Sequence, residues 1–561
     1  MSQPAITIPI SAHPRQPAAR SSAFVAHAKL ISALTLLSRI LGMARESVVA
    51  NYFGATVVAQ AFSVAFSIPN LFRKLLGEGA LSAAFIPLYA QSLKSGDEAE
   101  AKRFAAASVN MLAILLLGVT VAGELILWLT AHFVHLRADN LLVIRFTAIM
   151  FPYVILVCGT AFLSGILQVH KRFGIPALTQ VPLNIIHIAV IIIGARILLL
   201  KPGNPDEHLQ TRLAYWLSGF VLIAGVVQIT MLLPALRQIG FRFRWTGSIW
   251  SPAIRKLLKL SIPVALGASV LQISVLVDKG ITLFLTAGRN PAEKLQLFHH
   301  AWNYPLAIGA AARLNWAQML YQFPLGVFAT AVATAIFPSL SIDAHDLDGE
   351  KFKRVLRQGI LFTLFEGLPA SIGLILVRYP TVRLVFQHGS FTPRDTDWVA
   401  LSVVFYAAAI WAFSLQQVLN RAYYALHDTM TPLILSVVTI AVNTAVEIPL
   451  SFSRLHEAGI AAGTLASFAL QAVVMLILLD RKIGGLGLRS IAGKVMKMLI
   501  ACAAMAAACI CVQRLSQYPH APGHLASAEQ LAILILTGGA TYAAICLLLG
   551  LRPPAKLRSP I

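Results

Sequence analysis

Apolar residues run in blocks of roughly twenty along most of this chain, broken by short segments where Lys, Arg, Gly and Pro collect. Each block is long enough to cross a hydrocarbon core of about 30 Å as a helix. The pattern predicts spans over 29–54, 58–92, 104–131, 141–168, 176–201, 212–236, 256–287, 307–341, 354–380, 396–425, 431–453, 457–480, 490–513 and 528–551, about fourteen in all. The expected fold class is an all-α polytopic membrane protein. Ahead of the first block, "MSQPAITIPISAHPRQPAARSSAFVAHAK" is rich in Pro, Ser and Ala and has no compact apolar core followed by a cleavage site. Residues 1–28 therefore read as a disordered tail, not a signal peptide.

Composition agrees: 57% of residues are apolar, 12% are charged and the mean hydropathy is +0.74. A net charge of +22 raises nucleic acid as a partner, and the distribution of that charge argues against it. Basic residues cluster in alternate loops: Lys94, Lys102 and Arg103; Lys171 and Arg172; Arg237 to Lys259; Lys351 to Arg357; Arg481 to Lys494; Arg552 to Arg558. The loops between carry few. This positive-inside pattern places both termini, including the tail 552–561, in the cytoplasm. A basic stripe interleaved with aromatics is missing, so no nucleic-acid partner is expected. The five cysteines fall in or beside spans, without metal-ligand spacing, and His299 and His300 have no partner motif. With no GxxxxGK[ST] loop and no GxSxG elbow, the chain reads as a transporter without an ATP site of its own, not an enzyme.

The prolines suggest a duplication. "FSIPNLFRKLLGEGALSAAFIPLYA" and "YQFPLGVFATAVATAIFPSLS" share an aromatic before a proline, small residues in the middle and a closing aromatic–proline. Pro69 and Pro324 are 255 residues apart, Pro87 and Pro338 251, and Pro176 and Pro432 256. A repeat of six spans keeps one orientation, so the reading is two pseudo-symmetric six-helix lobes, 29–240 and 250–482, followed by two additional helices over 488–551. Facing duplicated lobes are the architecture of alternating-access transporters, with the substrate between them.

Charge inside the spans marks the candidate path. "SRILGMARES" puts Arg39, Arg45 and Glu46 in the first span, and the second carries Arg73, Lys74 and Glu78, with Gly77 and Gly79 permitting close approach of a backbone or ligand. An intramembrane charge costs at least about 2.5 to 3.5 kcal/mol and usually faces a wet cavity. Arg39 and Glu46 are seven apart and share a helix face, while Arg45 is rotated by roughly a third of a turn. Four cations against two anions suit an anionic ligand, and the guanidinium fork favours phosphate. The competing reading makes Arg73 and Lys74 interfacial residues that snorkel to the headgroups, or partners in a structural ion pair.

The segment from Ser38 to Gln91 resembles the signature of the MurJ (MviN) family of lipid II flippases in the MOP exporter superfamily, with further matches in "FQHGSFT", "YYALHDTMTP" and "QFPLGVF". The resemblance covers roughly residues 29 to 550. It implies a V-shaped cationic cavity between two six-helix lobes, a place in the bacterial inner membrane, and translocation of the undecaprenyl-pyrophosphate-linked peptidoglycan precursor from the inner to the outer leaflet. By position, Arg39, Arg45 and Glu46 match the family's first-helix motif, and Asn70, Arg73, Lys74 and Glu78 its second-helix motif. Membrane lipids and, as candidates, cell-wall synthesis proteins would be the other partners.

Two positions depart from the family's pattern. Gln60 stands where an aspartate is common, and Gln318-Met319 where an Asp-Arg pair often precedes the eighth-helix proline. Arg313 is the candidate substitute, but six residues of helix displace it by about 9 Å and turn it to another face. In the second lobe Asp278, Asn443, Glu447 and Thr464 form a candidate monovalent-cation set, and some family members are thought to bind sodium there. Sodium or the membrane potential are accordingly the candidate couplings, and no other cofactor is expected. The bland alternative pairs Asp278 with Lys279 and sends Glu447 to the interface. The rival functions are a carrier of another lipid-linked oligosaccharide, a polyprenyl-phosphate transferase, which lacks its carboxylate cluster, and a degenerate flippase serving as a scaffold.

Overall fold

Helices follow the apolar blocks in the computed structural model, which describes residues 19–245, 251–290, 293–297, 299–343, 350–516 and 523–551. They are α1 (Ala19–Phe53), α2 (Val57–Phe72), a π-helical segment (Arg73–Ala80), α3 (Leu81–Lys94), α4 (Glu98–Phe133), α5 (Ala138–Met150), α6 (Tyr153–Val169), α7 (Gly174–Leu178), α8 (Val181–Ile197), α9 (Glu207–Gln238) and α10 (Pro252–Leu285). A hairpin of β1 (Leu295–Leu297) and β2 (His300–Trp302) precedes α11 (Ala310–Asp343), α12 (Glu350–Leu376), α13 (Arg378–Phe386), α14 (Pro393–Ala408), α15 (Ile410–Ala425), α16 (Met430–Ser451), α17 (Glu457–Lys482), α18 (Leu488–Leu515) and α19 (His524–Leu548). The expected tail is shorter than 1–28. Its last proline is Pro17, and the Ala-containing stretch beyond joins α1 from Ala19; residues 1–18 and 552–561 lie outside the described residues.

Among the described residues nine helical stretches are long and apolar enough to cross a membrane, and α5 with α6, bent by 48° at Phe151-Pro152, makes a tenth. Four further long helical stretches, α1, α2 to α3, α10 and α11, occupy the other apolar blocks, and they include Arg39, Arg45, Arg73, Lys74, Asp278 and Lys279. On the outside the polarity is reversed from a soluble protein: Val121, Ile126 and Phe133 of α4 stand exposed, the surface of a helix bathed in lipid.

Paired prolines fall in corresponding spans, Pro69 and Pro87 in α2 and α3 against Pro324 and Pro338 in α11, and Pro176 in α7 against Pro432 in α16. The first interval is four residues longer than its counterpart, and the π-helical segment sits inside it. Gly77 and Gly79 weaken the α-helix there. The Ser82 hydroxyl donates to the Gly77 carbonyl five residues back, and a Cβ at Gly77 would stand only 2.9 Å from the Ala161 Cβ. Gly77 thus serves close helix packing.

Packing divides the chain slightly differently from the expected lobes. Helix α10, placed by sequence in the second lobe, packs most extensively on the π-helical segment and α3, and less on α16, α11 and α17. It forms a wall between the halves. The two last helices pair with each other and rest on α12 and α13, burying Cys502, Met505 and Tyr542.

Candidate functional site

One end of the bundle is closed by contacts between the halves. The Asn51 carbonyl accepts from the Ser390 N–H at 2.9 Å, and the Ser390 hydroxyl accepts from the Gly203 N–H at 3.2 Å. Gln60 on α2 is buried, and its Oε1 accepts from the Gly309 N–H at 3.0 Å and from the Ala311 N–H at 3.5 Å. A neutral amide therefore caps the start of α11 from the other half of the molecule, where helix N–H groups have no partner of their own. Gly54, Gly309 and Gly389 all have positive φ, and side chains there would collide with the Ser390 carbonyl, the Ala55 carbonyl and Asn51. Arg289 reaches Asp139 at 3.3 Å and also pairs with Glu207, and Arg137 donates to the Thr286 carbonyl at 3.0 Å, tying the loop after α10 to the first half.

Beneath this seal lies a cavity of about 950 Å³ that runs toward the opposite end of the bundle, past Gln180 before α8 and Tyr424 near the end of α15. Arg39, Arg45, Glu46, Asn70, Arg73 and Lys74 all line it. Arg45 pairs with Glu46 at 2.7 Å and its guanidinium stands 5.3 Å from the centre of the Phe66 ring. The other carboxylate oxygen of Glu46 accepts from the Trp316 indole N–H at 3.2 Å, and Arg39 donates to the Gln322 carbonyl at 3.1 Å. Both contacts reach α11 from α1. The Asn70 amide donates to the Phe66 carbonyl at 3.1 Å. Glu78 belongs to the π-helical segment, but its side chain lies outside the described residues.

Arg313 is a correction. It is only 4% exposed and does not line the cavity. Its Nε and a terminal nitrogen donate to the two Glu457 oxygens at 2.6 and 2.8 Å, and its other terminal nitrogen reaches Asp395 at 3.2 Å. Asp395 also closes a capping box with Thr392 at the start of α14. This is a structural node that joins α11, α14 and α17, and it leaves Arg313 no donor set for a ligand. Where the sequence lacks the expected eighth-helix pair, Gln318 donates to the Tyr406 hydroxyl at 3.0 Å and Met319 faces Gly42 of α1.

Two lining cations were not singled out by sequence, Lys279 on α10 and Arg421 on α15. Among the described residues six cations therefore stand against two carboxylates, Glu46 and Asp278, on the walls. Much of the rest is carboxamide and hydroxyl, including Asn184, Gln272, Asn315, Gln322, Gln416 and Asn420. Such walls suit a ligand that is anionic at one point and rich in hydroxyl and amide groups elsewhere.

The second polar set is also assembled. Asn443 donates to Asp278 at 2.8 Å and to Glu447 at 3.1 Å, and Ser467 donates to the Asn443 carbonyl oxygen at 3.4 Å. Thr464 lies on α17 beside them, with its hydroxyl turned to its own helix at Ile460. Glu447 is fully buried, one of its oxygens has no hydrogen-bond partner, and Gly463 lets α17 approach it closely. The expected alternative, Glu447 at the interface, does not hold. Ser467 was missed because a lone serine in an apolar span carries no sequence signal.

Comparison with known proteins places this geometry. A family model described as lipid II flippase MurJ matches residues 49–528. A probable lipid II flippase MurJ of Rhizobium tropici is 30% identical over 528 residues, 93% of each chain. The lipid II flippase MurJ of Burkholderia cenocepacia is 29% identical over 72% of this chain and 73% of its own. A solved lipid II flippase MurJ in an inward closed conformation superposes with a TM-score of 0.69 at 22% identity, over 93% of this chain and 98% of the other. An inward-facing MATE transporter of the MOP superfamily gives 0.61 at 14% identity, over 81% and 98%.

Proposed function

Since the chain belongs to the MurJ family of lipid II flippases, we propose that it carries the undecaprenyl-pyrophosphate-linked peptidoglycan precursor from the inner to the outer leaflet of the bacterial inner membrane by alternating access. The observation that carries this reading is the cavity: among the described residues six cations against two carboxylates, closed at one end and lined by amides and hydroxyls. Arg39, Arg45, Arg73 and Lys74 take the diphosphate, because guanidinium and ammonium donors give charge-assisted bonds to its oxygens. The amides meet the sugars and peptide, and the polyprenyl chain stays in lipid, so no charge crosses hydrocarbon. With the basic loops and both termini in the cytoplasm, the seal is on the outer side and the cavity faces inward.

The buried cluster of Asp278, Asn443 and Glu447 supports a cation as coupling partner. Two carboxylates bridged by one neutral amide repel each other unless a proton or cation offsets them, and the orphaned Glu447 oxygen is a ligand in waiting. Asp278 and Glu447 would hold a sodium ion, and the Asn443 oxygen would join them on a turn of its amide, whose nitrogen now faces both carboxylates; the ion would contribute charge that responds to the membrane potential.

The test is lipid II exposure at the outer leaflet of bacteria depleted of their own flippase. This chain should restore exposure, and Arg45→Ala at equal abundance should lose most of it. An intact, membrane-inserted chain that restores nothing would overturn the reading in favour of another lipid-linked oligosaccharide or a scaffold.

A further inference from the structure

We propose that Lys279 is a headgroup ligand, the cation that α10 contributes to the diphosphate site. This rests on the reading of the cavity as the headgroup site.

Lys279 lies six residues before the end of α10, as Glu46 lies seven before the end of α1, and both helices end at the seal. At about 1.5 Å per residue the two side chains start from similar depths. Lys279 lines the main cavity and also a small cleft between α10 and α11 that adjoins it. Among the described residues no hydrogen bond or ion pair holds its ammonium; the charges acting on it are Glu46, Asp278 and Lys74. Asp278, its neighbour in sequence, takes a hydrogen bond from Asn443 instead. Glu46 is already engaged by Arg45 and Trp316. An ammonium within range of Lys74, with the nearest carboxylates taken, is a site short of an anion.

The position also adds a donor from a helix other than α1 and the second span. Arg39 and Arg45 come from α1, Arg73 and Lys74 from the second span. A ligand can shift an equilibrium between two arrangements only through contacts that differ between them. Helix α10 runs between the halves, packed on the π-helical segment that carries Arg73 and Lys74 and also on α16. Lys279 is thus placed to bind the same anion from a wall that is independent of α1. Met319 on α11, facing Gly42 of α1, offers no such charge.

The experiment uses the full chain in lipid nanodiscs, with undecaprenyl diphosphate and undecaprenyl monophosphate as probes and thermal unfolding to check that each variant is folded. Lys279→Gln should weaken diphosphate binding by about tenfold or more, as expected for loss of a hydrogen bond to a charged group, and should weaken monophosphate binding less. Lys279→Arg should restore most of the diphosphate affinity, a rescue that a packing role would not give. Lys279→Met, apolar and flexible, serves if the glutamine variant does not fold. If Arg45→Ala abolishes diphosphate binding while both neutral Lys279 variants bind like the parent, Lys279 is not a ligand and the cavity reading stands. If Arg45→Ala also binds like the parent, the cavity reading itself fails, and this proposal with it.

Discussion

Gly309→Ala should part the seal. The φ of +87° at this residue disfavours any side chain, but that strain is present in every state that keeps the turn and so shifts nothing between them. The collision of the new Cβ with the Ala55 carbonyl is different, because it exists only when the halves meet. Relieving it means moving the start of α11 away from α2. That movement breaks the 3.0 Å bond from the Gly309 N–H to Gln60 and the 3.5 Å contact from Ala311, and leaves a buried amide oxygen short of donors. A lost buried hydrogen bond with an unsatisfied group costs about 1 to 3 kcal/mol, which corresponds to a shift of roughly 5- to 150-fold away from the sealed state. A single cysteine at Ser63, on the cavity wall beneath the seal, reports it in a background with the native cysteines replaced. An impermeant maleimide added on the sealed side should label it faster in Gly309→Ala than in the parent. Gly219→Ala is the control, since nothing lies within 4 Å of a Cβ at that position in α9. Parent-like labelling in a folded Gly309→Ala protein would refute the argument that this seam holds the sealed end shut.

The Arg313 node makes a prediction about stability alone: Glu457→Ala leaves Arg313, 5% exposed at its side chain, with Asp395 as its sole carboxylate and should destabilise the protein by about 3 to 5 kcal/mol, read as a fall in thermal midpoint. Undecaprenyl diphosphate affinity of the remaining folded fraction should be unchanged; lost affinity at parental stability would return Arg313 to the ligand set. In the turn before α16, burial alone would raise the Asp428 carboxyl, but bonds from Lys482 at 2.6 Å and from the Thr431 N–H and hydroxyl hold it below the usual carboxylate range. A depressed carboxyl stabilises above its unfolded value near pH 4 and stops doing so as pH falls through its folded value. Because Lys482 is 44% exposed, the effect is limited to about 1 kcal/mol. Thermal midpoints from pH 6 down to 3 should fall less steeply in Asp428→Asn than in the parent, and identical slopes would show that the turn carries no such linkage.

What the sequence revealed and what it hid follow one physical line. Arg39, Arg45, Arg73 and Lys74 were legible because a charge within an apolar block needs a wet wall, and the cavity supplies it. The same rule misplaced Arg313, because a buried carboxylate serves as well as water, and Glu457 lies 144 residues further along the chain. Lys279 was lost to adjacency. Residues i and i+1 project about 100° apart on a helix, so neighbouring opposite charges need not meet: Asp278 and Lys279 both line the cavity, yet Asp278 takes its hydrogen bond from Asn443. Arg45 and Glu46, equally adjacent, do pair at 2.7 Å. Adjacency therefore decides nothing until the walls are known. Gln60 makes the same point from the other side. As a departure from a charged pattern it suggests lost function, yet the seal requires an acceptor for two backbone N–H groups in a buried seam, and a neutral amide meets that need without a buried charge. Motifs locate charge, but contacts between the halves determine which charges remain available to a ligand.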